Sequence, residues 1–380
     1  MSGIYIHIPF CRKACHYCDF HFSTSLKNKN AFLDSLKKEI ELQKDYFKTN
    51  SENEIIESVY LGGGTPSILS KAELLSIFDV LNAHFQIDSQ AEITLEANPD
   101  DLSKEKITEL FQTQINRLSI GIQSFSNADL KFLNRIHTSE DAITSVKKSQ
   151  DAGFSNITID LIYGIQTLTN NQWERNLETA FSLGVHHISS YCLTIEPKTA
   201  LYRFISSGKI QHIDESKGAE QFEILMDRME AKNFIHYEIS NFGKENYFSK
   251  HNSNYWKRKK YLGIGPSAHS FDGETRQWNV SSNTAYIQSI SEQKIPSEKE
   301  ILSQSQKFNE YILTSLRTMW GIDLSYVKQT FSSEIYSTLL NSVKKIQKVG
   351  QVNQNNNHVV LTKTGKLFAD KIASDLFVHS

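Results

Sequence analysis

The sequence predicts an α/β fold: an incomplete (β/α)6 TIM-like barrel followed by a C-terminal α+β, winged-helix-like domain. Three observations predict it. Short stretches rich in β-branched and aromatic residues alternate with longer helical stretches from residue 4 to about 210. Their starts recur at the period of a βα unit. A chemically distinctive group lies at or just after most of the apolar runs, where barrel strands converge on one ligand-binding rim. Six units rather than eight predict a barrel open at one side. The alternative is an open doubly wound sheet, which also binds ligands at the carboxyl ends of its strands.

The six strands are expected at IYIHI, ESVYLGG, AEITLEA, NRLSIGI, NITIDLIYG and HHISSYCLTIE. Between the first two, AFLDSLKKEIELQKDYF places Phe32, Leu33, Leu36, Ile40 and Phe47 at helical spacing. SKAELLSIFDVLNAHF and SKEKITELFQ each open with Ser, Lys and a nearby Glu, the pattern of a capped helix start. Beyond residue 212 the texture changes. A helix at KGAEQFEILMDRMEAKNF leads to HYEISNFG and an aromatic, basic segment, HNSNYWKRKKYLGIGPSAHSF. From residue 299 helices dominate, and HVVLTKTGKLFADKI predicts a strand, a turn and a terminal helix. Three regions are therefore expected: a partial barrel over 1–212, a connecting segment over 213–298 and a C-terminal domain over 299–380.

Composition excludes several classes. With 39% hydrophobic and 22% charged residues, the chain is globular. No apolar run approaches the roughly 18 residues of a membrane span, and no secretory signal is present. A net charge of −2 gives no global bias toward nucleic acid. Four cysteines in 380 residues are no disulfide framework, so a reducing cytoplasm is the expected compartment.

Three of those cysteines crowd into HIPFCRKACHYCDF, as Cys11, Cys15 and Cys18. A structural zinc would need a fourth ligand, for which His7, His16 and His21 are at hand. A redox CxxC would need only two thiols. A 4Fe–4S cluster held by three thiolates leaves one iron open to a non-protein ligand. The second strand ends in GGGTP, where Gly62 to Gly64 allow close approach of a ligand to the backbone. Glu96 in EANP, Gln123 in GIQSF, Asp160 in IDLIYG and Glu196 in TIEP mark the ends or the course of four later strands.

The cysteine spacing, with Tyr17 before the third cysteine, resembles the radical S-adenosylmethionine (SAM) superfamily. Together with YIHIPFC, GGGTP, GIQSF and IDLIYG it resembles, within that superfamily, the oxygen-independent coproporphyrinogen III oxidase group, over nearly the whole chain. The resemblance implies that Cys11, Cys15 and Cys18 hold a 4Fe–4S cluster whose free iron chelates SAM. It implies further that Tyr5, Gly63, Gly64, Thr65, Glu96, Gln123, Arg135 and Asp160 line the SAM site. An acid, an amide and an arginine suit a zwitterion with ribose hydroxyls. The chain departs from the group after IDLIYG: GIQTLT lacks the usual Leu-Pro, so that loop is expected to differ in shape.

Two activities share this scaffold. The oxidase branch carries one more cysteine two positions after the third, where this chain has Phe20, and a further N-terminal segment, for which ten residues before Cys11 leave no room. Both differences resemble the haem-chaperone branch instead. HNSNYW fits that branch's HNxxYW pattern, which implies a haem site at His251, Asn252, Tyr255 and Trp256. An imidazole is a good axial ligand, and aromatics pack on a macrocycle; Cys192, His269 and a tyrosine are other candidate iron ligands. Lys257, Arg258, Lys259 and Lys260 would face propionates or an anionic membrane surface. The function so implied is a haem chaperone that binds haem, cluster and SAM and delivers haem to respiratory haem proteins at the membrane. It would act from the cytoplasm, at the inner face of the membrane, with an electron donor. A coproporphyrinogen decarboxylase is the competing expectation.

Overall fold

The computed structural model describes residues 2–49, 52–211 and 214–378. β1 (Ser2–Ile8), β2 (Ile56–Gly63), β3 (Ile87–Ala97), β4 (Arg117–Gln123), β5 (Asn156–Tyr163) and β6 (His187–Cys192) stand side by side in chain order. All are parallel, in registers such as Ile4 with Val59, Leu61 with Leu95 and Ile159 with Ile188. These are the six strands expected from the sequence. The βα connections place a helical layer on one face, as parallel pairing requires.

Over their central residues the strands alternate. Ile4, Ile6, Ile8, Val59, Leu61, Leu95, Leu118, Ile120, Ile157, Ile159 and Ile188 are buried in one continuous core with the helices. Their neighbours are polar or aromatic: Tyr5 and His7, Ser58 and Tyr60, Glu92, Thr94 and Glu96, Arg117 and Ser119, Thr158 and Asp160, His187, Ser189 and Tyr191. A period of two sends these to the opposite, inner face. A parallel barrel normally fills its interior with branched apolar side chains. Here the interior is polar, which suits a hollow built to receive a ligand.

The helices follow their sequence signals. α1 (Lys29–Leu42) buries Phe32, Leu33, Leu36 and Ile40. It stops at Leu42, and Phe47 reaches the core from the turns beyond it. α2 (Lys71–His84) starts in a full capping box between Ser70 and Glu73, and α3 (Lys104–Phe111) is capped by Ser103.

The sheet extends past the six strands at both ends. β7 (Ile235–Glu238) and β8 (Asn241–Gly243) add antiparallel strands beside β6. β9 (Tyr261–Ile264) pairs in parallel with the other edge of β1. β10 (His269–Phe271), β11 (Thr275–Asn279) and β12 (Ser297–Ile301) continue outward, antiparallel. The sheet stays open, with β12 and β7 as its two edges among the described residues. The short helix α4 (Lys250–Trp256), which carries HNSNYW, precedes β9 and so lies against the base of β1 and β2.

The C-terminal part has its own core, built from Phe308, Ile312 and Leu316 of α5 (Gln304–Leu316) and Leu339 and Val343 of α6 (Ser333–Lys348). A small antiparallel sheet of β13 (Ile322–Asp323), β15 (His358–Leu361) and β14 (Val352–Asn355), in that order, closes it. Helices followed by a hairpin wing are the arrangement expected from the sequence.

Candidate functional site

The loop after β1 is pinned along its length. Cys11 N–H donates to Ser23 O at 3.0 Å, His16 N–H to Leu133 O at 3.2 Å, and Asn134 Nδ2 to Ala14 O at 2.7 Å. The sulfurs are held as well. Thr65 Oγ1 donates to Cys11 Sγ and Arg135 Nη1 to Cys15 Sγ, each at 3.5 Å. Asn98 joins the two: its Nδ2 donates to Thr65 Oγ1 at 3.1 Å, and its Oδ1 accepts from Arg135 Nη2 at 2.6 Å. Arg135 also donates to Gly121 O at 2.8 Å, tying the loop to β4. Three strand ends therefore brace one cysteine loop. Asn98 carries no signal in the sequence beyond its place in EANP.

All three thiols are partly exposed and unpaired with one another. Burial pushes Cys11 up to about 11 and Cys18 up to about 12, so each thiolate needs a cation to exist at neutral pH. Among the described residues no three His, Cys, Asp or Glu side chains converge as on a single metal ion. A multi-iron cluster makes a different demand, since each thiolate reaches its own iron. Three solvent-facing thiols on one braced loop, with hydrogen-bond donors to two sulfurs, fit that donor set.

GGGT forms the wall behind this loop. Gly63 has φ +100°, a left-handed conformation that favours glycine, and a Cβ there would stand 2.4 Å from the His7 ring. At Gly64 a Cβ would lie 2.6 Å from Ile8 O and 2.7 Å from Phe10 O, where the cysteine loop begins. Their amides are committed within the protein. Gly63 N–H donates to Glu96 Oε2 at 3.1 Å, Gly64 N–H to Ile8 O at 2.9 Å and Thr65 N–H to Phe10 O at 2.7 Å. Carbonyls rather than these amides are the groups such a turn could offer to an ammonium group.

Below this wall lie the carboxylates. Glu96 Oε1 accepts from Tyr60 Oη at 2.8 Å. Burial raises Glu96 to about 7, against its hydrogen bond to Tyr60 and with help from Asp160. Burial also raises Asp160 to about 6, against a hydrogen bond from Ser189 and the charge of Arg117. Ser119 Oγ lies 3.3 Å from Asp160 Oδ2. Tyr5, Tyr60, Glu96 and Asp160 keep partial exposure, and Tyr191 is 43% exposed, so the hollow they line is open. Gln123 ends β4 with φ +68°, a costly conformation for a side-chain-bearing residue, at a break in the β4–β5 register. The predicted SAM residues thus gather at one rim, around Tyr60 and Asn98.

The raised carboxylates give a pH prediction. A folded-state pKa above the unfolded one adds stability at low pH, which is lost as pH rises through the folded value. The cofactor-free protein is therefore expected to lose stability between about pH 5 and pH 8. Glu96→Gln is expected to flatten that slope by on the order of 1–2 kcal/mol, after discounting for the open hollow. Urea unfolding at the two pH values measures it, and an unchanged slope would refute the assignment.

His251, the first residue of the proposed haem motif, is not on an outer patch. Its Nδ1 lies 3.0 Å from Ser58 Oγ, and its ring stands 5.1 Å from Tyr60 and 6.4 Å from Tyr5. It forms the base of the hollow whose rim carries the residues predicted for SAM. Burial, with Arg117 nearby, lowers the imidazole to about 4, so it is neutral at physiological pH. Its Nε2 has no hydrogen-bond partner among the described residues. Glu92 fixes the helix that carries it, accepting from Lys250 N–H at 3.0 Å, His251 N–H at 3.1 Å and Ser249 Oγ at 3.3 Å. The rest of the motif parts company with His251. Tyr255 is 46% exposed, and Trp256 lies under the Arg317 guanidinium at 5.4 Å; Asn252 is half-buried. The basic run is largely spent: Lys259 pairs with Glu57, Lys260 with Glu54, and Lys257 sits over Trp320. Cys192 and His269 lie on β6 and β10 respectively, away from α4 in the sheet order.

Comparison with known proteins agrees with this geometry. Residues 5–180 match the radical SAM superfamily and residues 302–368 the HemN C-terminal domain. The heme chaperone HemW of Bacillus subtilis is 34% identical over 375 residues, covering 98% of both chains. That of Mycobacterium tuberculosis is 30% identical, covering 98% of this chain and 94% of its own. The structure of coproporphyrinogen III oxidase (HemN) from Escherichia coli superposes with a TM-score of 0.85, covering 99% of this chain and 90% of that one. At 21% identity that likeness speaks for the fold alone. A radical SAM domain implies a 4Fe–4S cluster and SAM, the groups that the cysteine loop and the rim residues fit. With its full-length likeness to curated members, this chain belongs to the radical SAM family of HemW heme chaperones.

Proposed function

We propose that the protein is a haem chaperone that binds haem together with a 4Fe–4S cluster and SAM, and hands the haem to respiratory haem proteins at the membrane. One observation carries the haem assignment: His251 is a neutral imidazole whose Nδ1 is engaged by Ser58 and whose Nε2 is unclaimed among the described residues. A hydrogen bond to one ring nitrogen, with the other left for the metal, is the usual state of a metal-ligating histidine. The names of its relatives support the same function. Asn252, Tyr255 and Trp256 complete the haem-associated motif, with Tyr255 offering an exposed ring to a macrocycle.

Cys11, Cys15 and Cys18 would hold the cluster, and Tyr5, Gly63, Gly64, Thr65, Glu96, Gln123, Arg135 and Asp160 would surround SAM. When bound, the cluster supplies an open iron for SAM and an electron from an external donor. The chain's own part is positional. Arg135 and Thr65 hold the cysteine loop, and the glycine turn presents carbonyls to an ammonium group. Glu96 and Asp160 offer acceptors for hydroxyls. Phe20, where the oxidase branch has a cysteine, is 71% exposed and brings no ligand. Delivery at the membrane would be peripheral, from the cytoplasmic side. No helix among the described residues is long and apolar enough to cross a membrane.

Anaerobic titration of the cluster-reconstituted protein with hemin tests this. A stoichiometric Soret band is expected, and His251→Ala is expected to weaken binding about tenfold or more, or about 1.4 kcal/mol. Lack of saturable binding, or robust conversion of coproporphyrinogen III to protoporphyrinogen IX, would overturn the proposal.

A further inference from the structure

Three arginines stand around the exposed ring of Tyr255, and each keeps an unanswered donor. His251 and Tyr255 lie one turn apart on α4, neighbours on one side of a helix. His251 faces the hollow, and Tyr255, 46% exposed, carries the same stripe out to the surface. The Tyr255 ring stands 5.0 Å from Trp256 and 5.6 Å from Tyr261. The Arg317 guanidinium lies over Trp256 at 5.4 Å. On the Tyr261 side, Phe271 packs 6.3 Å from Tyr261, and Arg258 lies over Phe271 at 5.7 Å. Burial and then Glu310 raise the Tyr255 phenol, and the nearby charges of Arg276 and Arg317 oppose them.

The three arginines come from different parts of the chain: from just past α4, from β11 and from the end of α5. The fold fixes Arg317 here from both edges of the open sheet. On the β7 side, Ile239 N–H donates to Arg317 O and Met319 N–H to Tyr237 O, each at 2.9 Å. On the β11 side, Glu310 of α5 accepts from Arg276 at 2.6 Å. Lys257, over the Trp320 ring at 4.1 Å, crosses the same seam between α4 and the C-terminal part.

Among the described residues, Nε of Arg258, Arg276 and Arg317 is buried without a hydrogen-bond partner. Buried donors are almost always paired, so three such donors around one exposed ring mark a place for an anion. Their charges are not equally free. Arg276 gives Nη1 to Glu310 and Nη2 to Glu300. Arg317 gives only Nη1, to Asp370, whose side chain is 72% exposed, and a surface pair of that kind is weak. Its Nε and Nη2 are left as a fork for a carboxylate. Two available guanidiniums beside an exposed aromatic ring match a flat molecule with two carboxylates on one edge, as haem is.

We propose that Arg317 and Arg258 grip the two propionates of a haem ligated by His251, with Tyr255 against the macrocycle. His251 keeps its hydrogen bond to Ser58 and offers Nε2. The C-terminal domain, through Arg317, then forms part of the haem site. The inference rests on haem binding through His251 as proposed above.

The full-length, cluster-reconstituted protein is titrated anaerobically with hemin and with hemin dimethyl ester, whose propionates carry no charge. Kd is read from the Soret band. The wild type is expected to bind the diester about tenfold or more weaker than hemin, through lost charge-assisted hydrogen bonds. Arg317→Ala and Arg258→Ala are each expected to weaken hemin about fivefold or more and to leave the diester Kd unchanged. A merely structural role would weaken both ligands alike. Asp370→Asn releases Arg317 from its surface partner and is expected to tighten hemin about twofold, without effect on the diester. Should the alanine variants fail to fold, Asp370→Asn decides, and an unchanged or weaker hemin Kd for it would overturn the assignment. So would wild-type protein that binds hemin and diester alike, or alanine variants that change both Kd values equally or neither. Each of these leaves the chaperone reading standing. Absence of hemin binding by the wild type would overturn that reading, and this inference with it.

Discussion

Replacing any one of Cys11, Cys15 or Cys18 with Ala is expected to abolish cluster assembly and, with it, SAM binding. After anaerobic reconstitution each variant should lack the broad visible absorbance of a thiolate-ligated cluster and return near-zero iron and sulfide. The three are not interchangeable with a nearby spare. His7 Nε2 is engaged with His21 O at 2.8 Å, His16 Nδ1 with Phe132 O at 2.9 Å, and His21 Nε2 with Asn283 at 2.7 Å. Fold stability should change little, because the loop is pinned by backbone contacts to Ser23 and Leu133 that no sulfur makes. A Cys192→Ala variant is the control, and it should assemble the cluster normally. Full iron content in any of the three single variants would refute the assignment.

Glu92→Ala is expected to cost about 3–5 kcal/mol, the usual penalty for stripping a buried charge of its partner. Against a total stability of about 5–15 kcal/mol this is a large fraction. Glu92 and Arg117 are both buried, 3.8 Å apart, and among the described residues Arg117 Nε has no hydrogen-bond partner. Arg117 Nη1 donates to Thr94 Oγ1 at 3.5 Å. Removing Glu92 also orphans Lys250 N–H and His251 N–H at the start of α4. Glu92→Gln, which keeps an acceptor, should cost less. Replacing Arg117 by Met in the Glu92→Ala background should recover the part due to the unpaired charge and leave the part due to the lost helix cap. Urea unfolding of the four proteins at pH 7 measures both parts. A loss below about 1 kcal/mol for Glu92→Ala would show that the network does not hold α4, and His251 with it.

The barrel strands were legible because each is an unbroken local pattern. IYIHI, ITLEA and ITIDLIY alternate apolar and polar residues, and that alternation both names the strand and assigns its faces. Glu96 and Gln123 follow from them, at the ends of β3 and β4, but Glu196 does not close the sixth strand as expected, because β6 ends at Cys192. Helix starts at Ser70 and Ser103 were legible for the same reason, as a cap and its partner lie within one turn. The end of α1 was not: Phe47 keeps the helical spacing but packs from a turn, because core position depends on tertiary contact rather than on periodicity.

Other features depend on residues far apart in the chain. YLGI is too short and too rich in glycine and aromatics to signal a strand, yet as β9 it completes the sheet beside β1. Asn98 links Thr65 to Arg135, and Glu39 of α1 collects Gly265 N–H at 2.7 Å and Tyr286 Oη at 2.6 Å. None of these pairs shares a local pattern. The KRKK run shows the converse: as letters it suggests a basic face, but two of its lysines are paired with Glu54 and Glu57, some 200 residues earlier.

By itself, then, the sequence determined the strands of the barrel, their common rim and the three-thiol loop, because these follow from short-range periodicity and spacing. Only the tertiary structure decided that His251 turns inward, beneath the predicted SAM residues and against Tyr60, rather than outward with Tyr255 and Trp256. That placement comes from Glu92 of β3, Ser58 of β2 and the parallel docking of β9 on β1. These are contacts between segments more than a hundred residues apart, which the order of residues along the chain does not display.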